Sequence, residues 1–236
     1  MRAWVVAAAI CAVLLPSAPA QAREPEARVV ATAFVEPGFT LVGRFGYRTI
    51  LFTLYDDGHV VATGPDDEHG VTTFTEGHLA HEQVLQLRRD LARATTGVDF
   101  GDIPVADVGY TRTRAVVDGR VVRTRINAFD MDMGLTPQQL RAREALRAVI
   151  EGAQGFATRP SATRRYEVRQ SDAGDPQVQV EWPGPRLPDG ECGTISAATY
   201  SRFPAQFTQG SAYYVSGRAL TIWVRPLLPG ERACRV

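Results

Sequence analysis

Apolar positions first recur with the two-residue period of strands, beginning with a short run at residues 29–35. Residues 49–55 and 59–63 are rich in β-branched and aromatic side chains and flank Asp56-Asp57-Gly58, a hairpin signal. A two-residue loop at Asp57-Gly58 sets Leu54 opposite Val61 and Phe52 opposite Thr63. Ile50, Phe52 and Leu54 then share one apolar face. Residues 65–69 are a polar loop, and residues 71–75 predict another strand.

The period then lengthens. Val84, Leu87, Leu91 and Ala94 recur at helical spacing, so a helix is predicted over residues 80–95, closed by Gly97. Residues 110–117 and 120–129 flank Asp118-Gly119, the clearest hairpin of the chain. Thr136-Pro137-Gln138-Gln139 is a strong helix start: Thr136 caps, Pro137 suits the first helical position and Gln139 completes a capping box. That helix is predicted to run to about residue 153.

Residues 155–163 form the best candidate boundary. Beyond it the pattern predicts strands at 165–170 and 178–182, a Pro/Gly-rich loop at 183–190, a short helix near 197–207, and strands at 212–216 and 220–224. The expected fold class is α+β: antiparallel hairpins in a sheet, about three helices packed on it, and one C-terminal disulfide. Residues 29–154 read as an N-terminal α+β unit with a ββα-like pattern that occurs twice. Residues 163–236 read as a ββαββ-like unit, either separate or part of the same domain.

Ahead of all this, Arg2 and the apolar residues 3–15 form the n- and h-regions of a secretory signal peptide, too short to span a bilayer comfortably. Pro16 ends the run, and two A-x-A sites place cleavage after Ala20 or Ala22. Cys11 follows Ile10 and lies inside the apolar run, so it leaves with the signal rather than carrying a lipid. The expected location is secreted or extracytoplasmic, with no transmembrane segment after cleavage. Removing residues 1–22 from the 236 leaves 214, and the loss of Arg2 leaves one more acidic than basic residue. Such a near-neutral balance argues against nucleic acid as a partner. All 26 basic residues are Arg, a coding bias that warns against reading each one as functional.

Two cysteines survive cleavage, Cys192 and Cys234. In an exported chain an isolated pair implies one disulfide, here joining the C-terminal tail to the loop before the third helix.

Two other groups carry candidate chemistry. His59, His69, His78 and His81 fall in one stretch with carboxylates nearby, a potential transition-metal set, although the spacing matches no known signature. His78 and His81 stand one turn apart near a helix start. In the second hairpin, Arg112 faces Arg125 and Arg114 faces Arg123, so four guanidinium groups share one face. That face is a candidate anion-binding surface for an anionic wall polymer or a protein. Asp130-Met131-Asp132-Met133-Gly134 opens like a calcium loop but has Leu135 and Arg141 where the glycine and the bidentate Glu belong; it reads as a polar loop. No G-x-S-x-G elbow, Walker loop or G-x-G-x-x-G occurs, so catalytic residues are unknown and no cofactor is expected. The expected function is a non-enzymatic binding module at or outside the cell wall. The alternative is a metal-dependent or hydrolase-like enzyme using the stretch from His59 to His81.

The residues Phe52-Thr53-Leu54-Tyr55-Asp56-Asp57-Gly58, Val105-Ala106-Asp107, Trp182-Pro183 before Cys192, and the closing run from Arg225 to Cys234 together resemble a type of secreted protein and lipoprotein of actinomycetes. That group has no assigned activity, so the resemblance implies export and nothing catalytic. Many of its members carry a lipobox; this chain lacks one, and membrane anchoring does not carry over.

Overall fold

The computed structural model describes residues 27–38, 48–105, 108–173 and 180–234. The predicted signal peptide with Cys11, Ala106-Asp107 and the start of the strand predicted at 178–182 lie outside the described residues. Within them the chain is α+β, with eleven strands, three helices and a disulfide between Cys192 and Cys234.

The first sheet has seven strands in the order β6-β5-β1-β2-β3-β4-β7. Its members are β1 (Val29–Glu36), β2 (Thr49–Tyr55), β3 (His59–Asp66), β4 (Thr72–His78), β5 (Tyr110–Val117), β6 (Arg120–Asn127) and β7 (Arg159–Pro160). All neighbours are antiparallel. β1 lies between the two hairpins and welds them into one sheet. Two helices, α1 (His81–Thr95) and α2 (Pro137–Gly155), cover one face. Their Leu91 and Leu146 are fully buried, each a contribution of roughly 1.5–3 kcal/mol. Under them the strands present Ala31, Ala33, Ala62 and Ala115, whose small side chains let the helices seat closely.

α2 begins as its sequence dictates: the Thr136 hydroxyl accepts from the Gln139 backbone N–H at 3.3 Å, and Gln139 Oε1 accepts from Thr136 N at 2.9 Å. Its Arg143 is fully buried and donates to five carbonyls, those of Phe100, Gly101, Asn127, Ala128 and Met131. Arg147 binds Asp132 Oδ1 at 2.8 Å and so engages a carboxylate of the Asp130–Asp132 loop. The loop is an arginine-held turn rather than a cation cradle.

The first hairpin departs from expectation. Phe52 pairs with Ala62 and Leu54 with Val60, so the loop is the three-residue Asp56-Asp57-Gly58 with Gly58 at φ +91°. β2 also carries an extra residue at Leu51: Ala33 pairs with Phe52 and Phe34 with Ile50. This bulge turns Ile50 to the face away from the helices, where it clusters with Tyr55, Val61 and Phe74, while Phe52 and Leu54 stay on the helix side.

The second sheet runs β10-β11-β8-β9, from β8 (Arg165–Asp172), β9 (Cys192–Ser196), β10 (Ala212–Val215) and β11 (Arg218–Pro226). β9 was not expected as a strand, and of the strand expected at 178–182 the described part makes one bridge, Glu181 to Tyr214. The third helix, α3, covers only Ala197–Tyr200 rather than 197–207. Pro204 explains the stop: it has no N–H to offer the Tyr200 carbonyl and its ring clashes with that group, which instead accepts from Phe203 N at 2.9 Å. The segment after α3 then delivers Phe203 and Phe207 into a core with Tyr200, Tyr213 and Trp182, where the rings meet largely edge to face.

Two joints connect the sheets. Residues 67–71 leave the first sheet and plug the second core: Val71 is buried there, Asp67 accepts from the Tyr200 hydroxyl at 2.6 Å, and Gln209 N donates to the His69 carbonyl at 3.0 Å. In the other direction, the segment after β11 returns to the open face of the first sheet. Leu228 packs on the Ile50 cluster and Tyr55 donates to the Pro229 carbonyl at 3.1 Å.

Candidate functional site

The histidines go to different places. His59 and His78 are cross-strand partners on β3 and β4. His59 stacks on Tyr55, with ring centroids 5.5 Å apart, and its Nε2 lies 3.4 Å from Glu76 Oε2. His69 is buried in the joint between the sheets, its Nδ1 3.2 Å from the Phe207 carbonyl and its ring edge-on to Tyr200 and Phe207. His78 ends a strand and His81 opens α1, so they do not share a helical turn. Among the described residues no three His, Cys, Asp or Glu side chains are grouped to hold a metal. The convergence of His59, His69, His78 and His81 that the metal-dependent alternative requires is therefore not found among the described residues: the polar loop carries His69 into an aromatic core.

The arginines do come together. Asp118 at φ +50° and Gly119 at φ +74° form the two-residue turn. The register that follows pairs Val116 with Val121, Arg114 with Arg123 and Arg112 with Arg125. These residues lie on the face away from the helices, because the intervening Thr111, Thr113 and Ala115 are buried on the other side. Arg123 and Arg125 are exposed, and Arg112 and Arg114 half-exposed.

Among the described residues counter-charge is sparse. Arg112 pairs with Glu36 on β1, and Arg48 reaches the same carboxylate at 3.9 Å. Arg114 donates to the Val29 carbonyl at 3.0 Å. The guanidinium of Arg125 sits 3.4 Å from the Tyr110 ring centroid, a cation–π contact. Two of these guanidinium groups thus share Glu36, while Arg114 and Arg125 are met by a carbonyl and a ring. Arg48 and Tyr110 escaped the sequence reading: Arg48 reaches the ribbon only because β1 inserts between the hairpins, while Tyr110 is the cross-strand partner of Asn127 and could have been found from the register.

A third polar assembly lies under the C-terminal tail. Glu167 on β8 has no exposed surface, yet Arg169 binds it at 2.6 Å, Arg225 at 2.9 Å and the Cys234 backbone N–H at 2.9 Å. Burial pushes its carboxyl pKa up, but these donors outweigh burial and hold it below the usual glutamate value. The Cys192–Cys234 bond, with Cα atoms 5.7 Å apart, fastens the tail over this cluster. Sequence reasoning found the bond but not the acid beneath it.

A cavity of about 580 Å³ lies beside β8, β10 and β11. Its Asp172 pairs with Arg218 and its Asp189 with Arg186. No histidine lines it, the groove of about 360 Å³ between α1 and α2, or the two smaller hollows.

No protein-family model, curated protein or solved structure matches the chain. No helix among the described residues is long and apolar enough to cross a membrane.

Proposed function

We propose that the protein is an exported, non-enzymatic binding module whose arginine ribbon engages an anionic partner at or outside the cell wall. The observation that carries this reading is the ratio of charges on the open face. Among the described residues Arg48 and Arg112 share one carboxylate, Glu36, and no acidic side chain pairs with Arg114, Arg123 or Arg125 on the same ribbon. Like charges placed opposite one another in a ladder are unfavourable unless something neutralises them. An external carboxylate, phosphate or sulfate does so with paired, charge-assisted hydrogen bonds. Export rests on the N-terminal signal pattern and accords with the disulfide, which persists in oxidising compartments.

The test is retention of Arg114→Gln/Arg123→Gln on an anionic wall preparation across a salt series, with thermal melting to show that the variant is folded. Retention should fall and its salt dependence flatten, because exposed charges are screened beyond about 8 Å at physiological salt. Unchanged retention by the folded variant overturns the reading.

A further inference from the structure

We infer that the outer edge of β6 accepts an extended acidic segment of a partner protein as an eighth strand of the first sheet, a refinement that rests on the arginine ribbon being an anion-binding face. The two edges of this sheet are treated differently. At one end β7 is two residues long and finishes in Pro160, which has no N–H to offer a further strand. At the other end β6 has eight residues, contains no proline, and pairs with β5 from Arg120 to Asn127 without a register shift. Among the described residues no strand pairs with its outer side. Long regular edges are templates for strand addition, and proteins blunt them with bulges, prolines or short strands. β6 has none of these.

What it does have is charge of one sign, and that selects the occupant. Arg123 and Arg125 stand at alternate positions on the open face, about 6.6 Å apart along the strand. A strand added about 4.8 Å away presents its own alternate side chains at the same interval. Acidic residues at those positions meet Arg123 and Arg125 directly, with Arg114 and Arg112 one strand further in. A second copy of β6 meets them with arginine against arginine, so the ribbon rejects self-pairing while it favours an acidic strand. On the helix side the half-exposed Val122 and Thr124 form a narrow apolar margin, Thr124 being tied to the end of α1 through the Thr95 carbonyl at 3.4 Å. Small or β-branched residues between the acids fit that margin. The segment recognised is therefore one in which Glu or Asp alternates with Val or Thr, and its main chain contributes as much as its charge.

The experiment measures binding to the full secreted chain of four probes at one salt concentration: a nine-residue peptide alternating Glu with Val, the same peptide in two versions N-methylated at alternate amides, and polyphosphate of matching charge. N-methylation removes backbone donors and keeps every carboxylate, and one of the two versions blocks the amides that face β6. Tight binding of the parent peptide, at least a tenfold loss for one methylated version, and a similar loss for Arg123→Gln/Arg125→Gln support strand addition. Equal binding of parent and both methylated peptides overturns strand addition while leaving the anion face intact. Tighter binding of polyphosphate than of the peptide overturns it in favour of a wall polymer. Failure of every anion to bind removes the ribbon reading itself.

Discussion

Replacing both cysteines by serine removes a tie between positions 42 residues apart, Cys192 on β9 and Cys234 in the tail. In the chain-entropy description a loop of that length restricts the unfolded chain by about 4 kcal/mol at 25 °C. The folded state loses something too. Cys234 N donates to Glu167 Oε2 at 2.9 Å, and a tail freed from β9 frays and withdraws that donor from a fully buried carboxylate. One such bond is worth about 1 kcal/mol. Against these stand the contacts that hold the tail independently: Leu228 on the Ile50 cluster, the Tyr55 hydroxyl on the Pro229 carbonyl and Glu231 on Arg225 at 2.9 Å. They keep residues up to Glu231 in place and limit the folded-state loss to the last few positions. The expected net cost is about 3–5 kcal/mol, a large share of the 5–15 kcal/mol that stabilises a typical domain. Urea unfolding of the oxidised chain, the chemically reduced chain and Cys192→Ser/Cys234→Ser checks it. The reduced chain and the double variant should lose comparable stability. A loss below about 1 kcal/mol in both refutes the reasoning, because loop closure would then contribute almost nothing.

Glu167→Gln keeps the shape but leaves Arg169 and Arg225 facing a neutral group; the Arg225–Glu231 pair survives, so the expected cost at pH 7 is about 3 kcal/mol, measured by urea unfolding. Because the folded Glu167 carboxyl is held below its ordinary value, its contribution is present above about pH 4.3 and disappears as pH falls through the folded value. Melting temperatures from pH 7 to 3 should therefore converge between wild type and Glu167→Gln, and parallel curves would contradict this. Arg143→Met strands five carbonyls, two in buried and three in part-buried bonds, at the base of the Asp130–Asp132 loop and should cost at least about 3 kcal/mol, with Arg143→Lys recovering part of it; an unchanged unfolding midpoint for Arg143→Met would show that other groups hold the loop. Gly77→Ala places a methyl 1.8 Å from the Phe156 carbonyl oxygen at the end of α2, so it should lower the melting temperature by several degrees, and a melt matching wild type would mean that the helix end moves freely.

The features legible in the sequence were those settled by neighbours a few residues away. Asp118-Gly119 adopts the positive φ angles that a two-residue hairpin turn needs, and the Arg114–Arg123 register follows from that alone. Thr136, Pro137 and Gln139 satisfy the first donors of α2 locally. Pro204 was equally local and should have cut the third helix short. The disulfide was legible for another reason, since with Cys11 assigned to the predicted signal peptide the two remaining cysteines allow only one pairing. Everything decided by which surfaces meet was hidden. The bulge at Leu51 sends Ile50 to the opposite face because the cluster with Tyr55, Val61 and Phe74 needs it there, and no local pattern announces that need. His69 looked like its neighbours in a polar loop, yet that loop is the joint between two sheets, and its imidazole is buried against Tyr200 and Phe207 from residues more than a hundred positions away. Glu167 read as one more charged residue on a strand until Arg169, Arg225 and the tail closed over it. Turn and cap geometry depends on energies within one stretch of backbone, whereas the fate of a polar side chain depends on what the rest of the chain brings to cover it.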